Sequence, residues 1–218
     1  HLSIRDFGRG IPLGKVVDCV SQINTGAKYN DDVFQFSVGL NGVGSKAVNA
    51  LSSEFTVRSF RDKEMVEANF SRGILLGEKR EKSKEPSGTF VSFTPDAEIF
   101  KKFKFQESIV LKRLWHYAYL NRGLTIDFNG ISIYSENGLL DLLNEEIKDD
   151  RLYEPLYYRG KGLEFAFLHT TSYGESYFSF VNGQYTADGG THLSAFKEGI
   201  LKGVNEYAGK SFQGVDVR

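Results

Sequence analysis

The sequence has a single cysteine, Cys19, so no internal disulfide can form. Its setting, VVDCVSQI, is that of a small buried side chain rather than a nucleophile. There is no excess of either charge: 27 Lys plus Arg stand against 28 Asp plus Glu, so attraction to a polyanion has to come from a local patch. Long apolar runs are also missing, and none approaches the ~18 residues of a membrane-crossing helix. The expected setting is a reducing cytoplasm, with no membrane partner. His116, on a helical stretch, has no partners at metal-ligand spacing, which leaves packing or surface as its role. At 218 residues the chain is long enough for one large domain or two modest ones.

What the sequence does have is glycine in the right places. In Ser37 to Leu51, Gly39, Gly42 and Gly44 run straight into a helical pattern. Glycines so placed let the backbone turn tightly against a bulky anion and leave the first helical N–H groups pointing at it. Read alone, three glycines in six residues also fit an ordinary surface turn. A dinucleotide fingerprint requires G-x-G-x-x-G, and here the order is G-x-x-G-x-G. A P-loop requires Lys and then Ser or Thr after its last glycine. Here Ser45 precedes Lys46, which takes the ammonium off the β/γ-phosphates and the hydroxyl off the magnesium.

A third kind of cradle is suggested by Asp6 to Pro12, DFGRGIP. Asp6 ends an apolar-alternating segment (Leu2, Ile4), and Gly8 and Gly10 give the chain a sharp turn with little bulk. A carboxylate at a strand end, above a floor of small residues, can accept a hydrogen bond from an exocyclic amine such as that of adenine. Asp-Phe-Gly also occurs in protein kinases. Their strand lysine and His-Arg-Asp loop would have to lie upstream, where the sequence has five residues.

Together, Asp-x-Gly-x-Gly, the turn Thr25-Gly26-Ala27-Lys28 and GLNGVGS resemble the ATP site shared by gyrase-type topoisomerases, heat-shock chaperones, sensor histidine kinases and mismatch-repair ATPases. GRGIP, that turn, VGLNGVG followed by VNALS, then SGTFVSF and the late DGGTH stand in the order seen in the B subunits of bacterial type IIA topoisomerases, and the resemblance runs nearly end to end.

The resemblance implies an α+β fold. A sandwich of the gyrase, heat-shock chaperone and histidine kinase type, helices on a mixed and mainly antiparallel sheet, would be followed by part of a ribosomal-protein-S5-like transducer domain. ATP would be bound by Asp6, Gly8, Gly10, Ile11, Pro12, Ile23, Gly26, Lys28, Gly39, Leu40, Asn41, Gly42, Val43, Gly44, Ser45 and Thr89. Asp6 and Thr89 would face adenine, and Gly39 to Ser45 the phosphates. By propensity alone, Thr89 is a strand residue facing a neighbour and Asn41 a turn former. Many family members carry arginine where Glu67 aligns, a departure that bears on inhibitors using that arginine. The chain opens at His1 like a cut sequence. The family's water-activating glutamate and Mg2+-binding asparagine are expected before it, and its transducer lysine beyond Arg218. No catalytic residue is therefore expected within the chain. Implied partners are a topoisomerase A subunit, a second copy of the B subunit on ATP binding, and double-stranded DNA. A nucleotide-binding module without turnover, or another ATPase of the superfamily, is the competing reading.

Along the chain, Val16, Val17, Val20 and Ile23 fall at helical spacing with Cys19 beside them, predicting a core-facing helix. The residues from Gly26 to Val38 suit an ordinary loop or a lid, and the resemblance favours the lid. Strands are predicted over 54–60, 65–70 and 89–94, with a solvated charged excursion over 78–85. A well-buried helix is predicted over 107–121 and a hairpin about Asn129-Gly130. Rising charge and Pro155 place a domain boundary at 152/153. Beyond it, strands are predicted over 163–169 and 176–181. A helix is predicted from His192 to about Tyr207, capped by Thr191.

Overall fold

The computed structural model describes residues 1–23, 25 and 42–214. The chain folds as two compact units, His1–Lys104 and Phe105–Arg218.

The first unit is a five-stranded sheet with helices on one face. Its strands are β1 (Leu2–Arg5), β2 (Ser52–Arg61), β3 (Glu64–Ser71), β4 (Ile74–Lys82) and β5 (Gly88–Pro95), in the order β1-β5-β2-β3-β4. Every pairing in this sheet is antiparallel. The three predicted strands are found, each slightly longer than expected. The charged excursion is different. Residues up to Lys82 pair with β3 as an edge strand whose residues are all exposed. Alternation cannot reveal such a strand, because neither of its faces is buried. Its run of mixed charges protects an open edge from pairing with another chain.

Side-chain alternation divides the sheet faces. Phe55, Val57 and Ser59 of β2 point to the same side as their partners Phe70, Ala68 and Val66 of β3. That side packs against α1 (Val16–Ser21), whose Val16 and Val20 share one helical face. Phe55 meets Phe70 edge to face, with ring centroids 6.0 Å apart. Ile23, predicted in the core, lies just past α1 and is 61% exposed, because the helix ends at Ser21 and the stripe ends with it. The second helix, α2 (Val43–Ala50), is fastened to α1 by a polar contact: buried Asn49 donates from Nδ2 to the carbonyl of Val20 at 3.0 Å. Val48 packs on the core, whereas Ala47 and Leu51 are exposed.

On the opposite face stands a polar row. Arg58 and Glu67 are cross-strand partners and form an ion pair, Asn69 donates to Glu67 at 3.1 Å, and Lys79 approaches it at 3.9 Å. Burial pushes the Glu67 carboxyl up. Hydrogen bonds from Arg58 and Asn69, with the charges of Arg58 and Lys79, outweigh it and hold the carboxyl below the usual carboxylate range.

The second unit opens with α4 (Glu107–Leu120), which follows the short α3 (Ala97–Phe100) of the first unit. Only its end is deeply buried, at Ala118 and Tyr119, while Tyr117 is 47% exposed. The predicted hairpin is present as β6 (Ile126–Phe128) and β7 (Ile131–Ile133), with Asn129 and Gly130 at φ 48° and 85° as a left-handed turn requires. A helix absent from the sequence prediction, α5 (Leu139–Glu146), is tied to α4 by the Tyr119 hydroxyl, which donates to Glu145. The unit continues with hairpins β8 (Leu156–Gly160) with β9 (Leu163–Phe167) and β10 (Phe180–Val181) with β11 (Gln184–Tyr185), then α6 (Thr191–Ala208). Phe196 of α6 packs on Phe165 at 5.0 Å. Thr191 is the first helical residue rather than the cap. The cap position is Gly190, and no side chain caps it. His192 instead bonds Ser179 at 2.5 Å, and Thr186 donates to Ser179 at 2.8 Å, joining the β10–β11 hairpin to the start of α6. His116 packs its ring edge-on against Phe180, as expected of a packing histidine.

Phe55→Ala is expected to destabilise the protein by about 3–5 kcal/mol in denaturant unfolding. Ile74→Ala, on the exposed edge strand, should change it by no more than about 0.5 kcal/mol.

Candidate functional site

The site grows from the end of β1. After Arg5, opposite Phe90, the chain keeps one further ladder bond: the Asp6 N–H donates to the Thr89 carbonyl at 2.9 Å. The Asp6 carboxylate turns back on its own chain, Oδ1 accepting from the Gly8 N–H at 2.8 Å. This aspartate-stabilised turn ends the strand and leaves Oδ2 without a partner among the described residues.

Two glycines make the neighbourhood possible. Gly88, at φ 140°, faces Asp6 so closely that a Cβ there would lie 2.0 Å from the Asp6 carbonyl oxygen. Gly10, at φ 71°, would put a Cβ 2.7 Å from the Phe60 carbonyl and 3.1 Å from Ser59 Oγ. Both positions therefore require glycine for space and for backbone conformation. Ser59, fully buried, donates from Oγ to the Ile11 carbonyl at 2.6 Å and so pins the GRGIP segment to β2. Pro12 then opens a 3-10 turn, Leu13–Lys15, leading into α1.

The structure thus brings Asp6, Gly8, Gly10, Ile11 and Pro12 together with Thr89 at one end of β1, β5 and β2. Thr89 is the cross-strand partner of Ser59. Gly42 to Ser45 form the start of α2, with Gly42 at φ 57° and no side chain capping the helix, so its first N–H groups have no side-chain acceptor among the described residues. Ser45 Oγ donates to the Cys19 carbonyl at 3.4 Å. Cys19 is half-buried, and burial pushes its thiol pKa up, as suits a structural rather than a nucleophilic cysteine. The expectations on Gly26, Lys28, Gly39, Leu40, Asn41 and the lid fall outside the described residues. Ser59, Gly88 and Asn49 were missed by sequence reasoning. Gly88 carried a signal, a glycine opening a strand, while Ser59 had none beyond its inward place in the alternation. Among the described residues, no three His, Cys, Asp or Glu side chains are grouped to hold a metal ion, and no helix is long and apolar enough to cross a membrane.

A family model described as DNA gyrase B matches residues 138–215. The B subunit of DNA topoisomerase 4 from Borreliella burgdorferi is 59% identical over 218 residues, covering 100% of this chain and 36% of that protein. The B subunit of DNA gyrase from Streptococcus pyogenes serotype M3 is 33% identical over 236 residues, covering 96% of this chain and 36% of that protein. Of solved structures, the 43K ATPase domain of Thermus thermophilus gyrase B, in complex with an aminocoumarin, matches with TM-score 0.74 and 29% identity over 94% of this chain and 58% of that one. The ATPase region of Saccharomyces cerevisiae topoisomerase II matches in fold, with TM-score 0.78 and 23% identity over 98% of this chain and 60% of that one. The chain spans about a third of the length of the curated relatives it matches.

The fold is α+β, of the class found in the ATPase regions of gyrase B and topoisomerase II. Over all of its own residues the chain is homologous to the B subunit of a topoisomerase IV, and part of it matches the gyrase B family model.

Gly88→Ala tests the close approach that builds the site. The backbone conformation alone should cost roughly 1–3 kcal/mol, and the contact with the Asp6 carbonyl adds to it, so the thermal midpoint should drop. Gly44→Ala, with open space around its Cβ position, should leave that midpoint within a degree or two of the parent's.

Proposed function

We propose that this chain is the ATP-binding portion of the B subunit of a topoisomerase IV. In the intact protein, ATP binding would close a dimer of B subunits, and hydrolysis would be coupled to passage of one DNA duplex through another, with an A subunit supplying the cleavage. The observation that carries this reading is the difference between 59% identity to a topoisomerase IV relative and 33% to a gyrase relative. Residues 1–152 would belong to the nucleotide-binding part and 153–218 to the start of the transducer, while the family match begins at residue 138. The compact units divide earlier, at Lys104/Phe105.

The residues present fit an adenine nucleotide. Asp6 has one carboxylate oxygen committed to its own turn and one open, the arrangement needed to accept from an exocyclic amine. Gly10 and Gly88 keep the floor beneath it free of side chains, and Thr89 supplies a hydroxyl on the adjoining strand. The start of α2, with Gly42, Val43, Gly44 and Ser45, offers backbone N–H groups to phosphate, joined in this reading by Gly39, Leu40 and Asn41. Ile11, Pro12 and Ile23 would line the apolar part of the pocket, and Gly26 and Lys28 would belong to the closing loop. Bound ATP would supply the phosphoanhydride whose hydrolysis is coupled to strand passage, while the chain's own residues would orient the base and hold the phosphates. Mg2+ would be held by residues outside this chain.

The deciding experiment is the intact gene product assayed with its A subunit. ATP-dependent decatenation without negative supercoiling is expected, and introduced negative supercoils would make the protein a gyrase. Within that protein, Asp6→Asn should lower ATP affinity roughly tenfold to a hundredfold by calorimetry, because Asn keeps the acceptor for Gly8 but removes the carboxylate oxygen facing the base. Unchanged affinity would remove Asp6 from the site.

A further inference from the structure

At the end of the first unit, α3 leads into Lys101-Lys102-Phe103-Lys104. All four residues are exposed, and the three lysines form no ion pair among the described residues. No carboxylate stands between Glu98 and Glu107. Glu98 is already engaged, its Oε1 2.8 Å from Arg72 Nη2, so among the described residues no carboxylate pairs with the lysines. Most arginines in this unit behave otherwise: Arg58, Arg61, Arg72 and Arg80 each pair with an acid.

The turn is firmly built. Buried Asp96 caps α3, Oδ1 accepting from the Glu98 N–H at 2.9 Å, and its Oδ2 lies 2.5 Å from Arg72 Nε. The Phe100 and Lys101 N–H groups donate to the Asp96 and Ala97 carbonyls, and Phe103 N–H donates back to Phe100. Lys101 itself adopts φ 50°, ψ −109°. Glycine adopts that backbone easily and a side chain only at a cost, yet lysine occupies it. A solvated surface lysine explains the exposure but not this choice. Phe100 and Phe103, 39% and 52% exposed, flank Lys101 and Lys102 in the chain and pack ring on ring with centroids 5.8 Å apart, so the turn that carries the lysines is held by its own contacts.

We infer that Lys101, Lys102 and Lys104 contact the phosphate backbone of double-stranded DNA. The inference rests on the topoisomerase reading above and locates one DNA contact within it. The contact is sequence-independent, since nothing in the turn reads base edges.

The test uses the intact protein and a short fluorescent duplex, with affinity followed across a salt series. Three phosphate contacts make the plot of log affinity against log salt steeper by about 0.9 each, so the Lys101→Gln, Lys102→Gln, Lys104→Gln triple variant should flatten it by about 2.7. Lys101→Gly separates structure from contact. It should raise the thermal midpoint by relieving the backbone and still flatten the slope by about 0.9. ATP affinity should be unchanged in both variants, which checks that they are folded. A triple variant with the parent's slope would overturn the inference and leave the topoisomerase reading intact. Loss of binding to phosphatidylserine vesicles with full retention of DNA affinity would also overturn it, in favour of a membrane surface. A parent protein that binds no duplex would overturn both readings.

Discussion

The backbone approach of Asp6 to Gly88 is the constraint on which the first unit's geometry rests. The Asp6 carbonyl, which a Cβ at position 88 would meet at 2.0 Å, also accepts a hydrogen bond from Arg5 Nη1 at 2.8 Å. Arg5 in turn reaches the Pro86 carbonyl at 2.6 Å and lies over the Phe60 ring at 4.3 Å. Thus β1, the approach to β5 and the end of β2 are held at one point by contacts that tolerate no added atom. Asp6 is aimed by this arrangement rather than by its own side-chain packing. An exposed carboxylate on a strand end would otherwise sample several rotamers, and losing that freedom on binding would weaken the site.

The two faces of the sheet serve different ends. The face carrying Phe55, Val57, Val66 and Ala68 supplies the apolar burial, and within it Ser59 is the exception. Its buried hydroxyl is satisfied by the Ile11 carbonyl, so the polar group costs little and fixes the segment that follows Gly10. The other face is held by charge. Glu67 is surrounded by Arg58, Asn69 and Lys79 and does not act alone. Position 67 is an acid already committed to an arginine on the neighbouring strand. A ligand that seeks a guanidinium at position 67 would meet a carboxylate, with Arg58 one strand away.

Much of the fold was legible because its signals are local. The strands of β2, β3 and β5 alternate, Asn129-Gly130 demands a left-handed turn, and the valines of α1 repeat at i and i+4. The local geometry of the candidate site was legible in part for the same reason: a strand-end aspartate followed by two glycines is a local pattern. What escaped depends on contacts distant in sequence. Ser59 matters through Ile11, 48 residues away, and Asn49 through Val20, 29 residues away. The strand β4 escaped because exposure on both faces erases the alternation that announces a strand. The boundary expected at 152/153 rests on composition and is a separate matter from the split into compact units at Lys104/Phe105, where a lysine-rich turn follows α3. No proline or glycine run marks that division.

In the proposed function, a chain of net charge −1 would meet two polyanions and would have to separate them physically. Nucleotide phosphates are small and enter a pocket, where backbone N–H groups at the start of α2 can hold them without a fixed side-chain charge. DNA is large and stays outside, so it is best met by mobile ammonium groups that give up counterions on contact. The charges follow that division. Arg58, Arg72 and Arg80 are spent on Glu67, Asp96 and Glu64, and the planar guanidinium suits those fixed pairs. The lysines of the α3 turn have no ion-pair partner among the described residues, and the flexible stem with its compact charge suits a partner whose phosphates recur along a surface. Had the arginines and lysines been exchanged, Asp96 would lose the two-nitrogen contact it makes with Arg72, and the turn would gain rigidity it does not need.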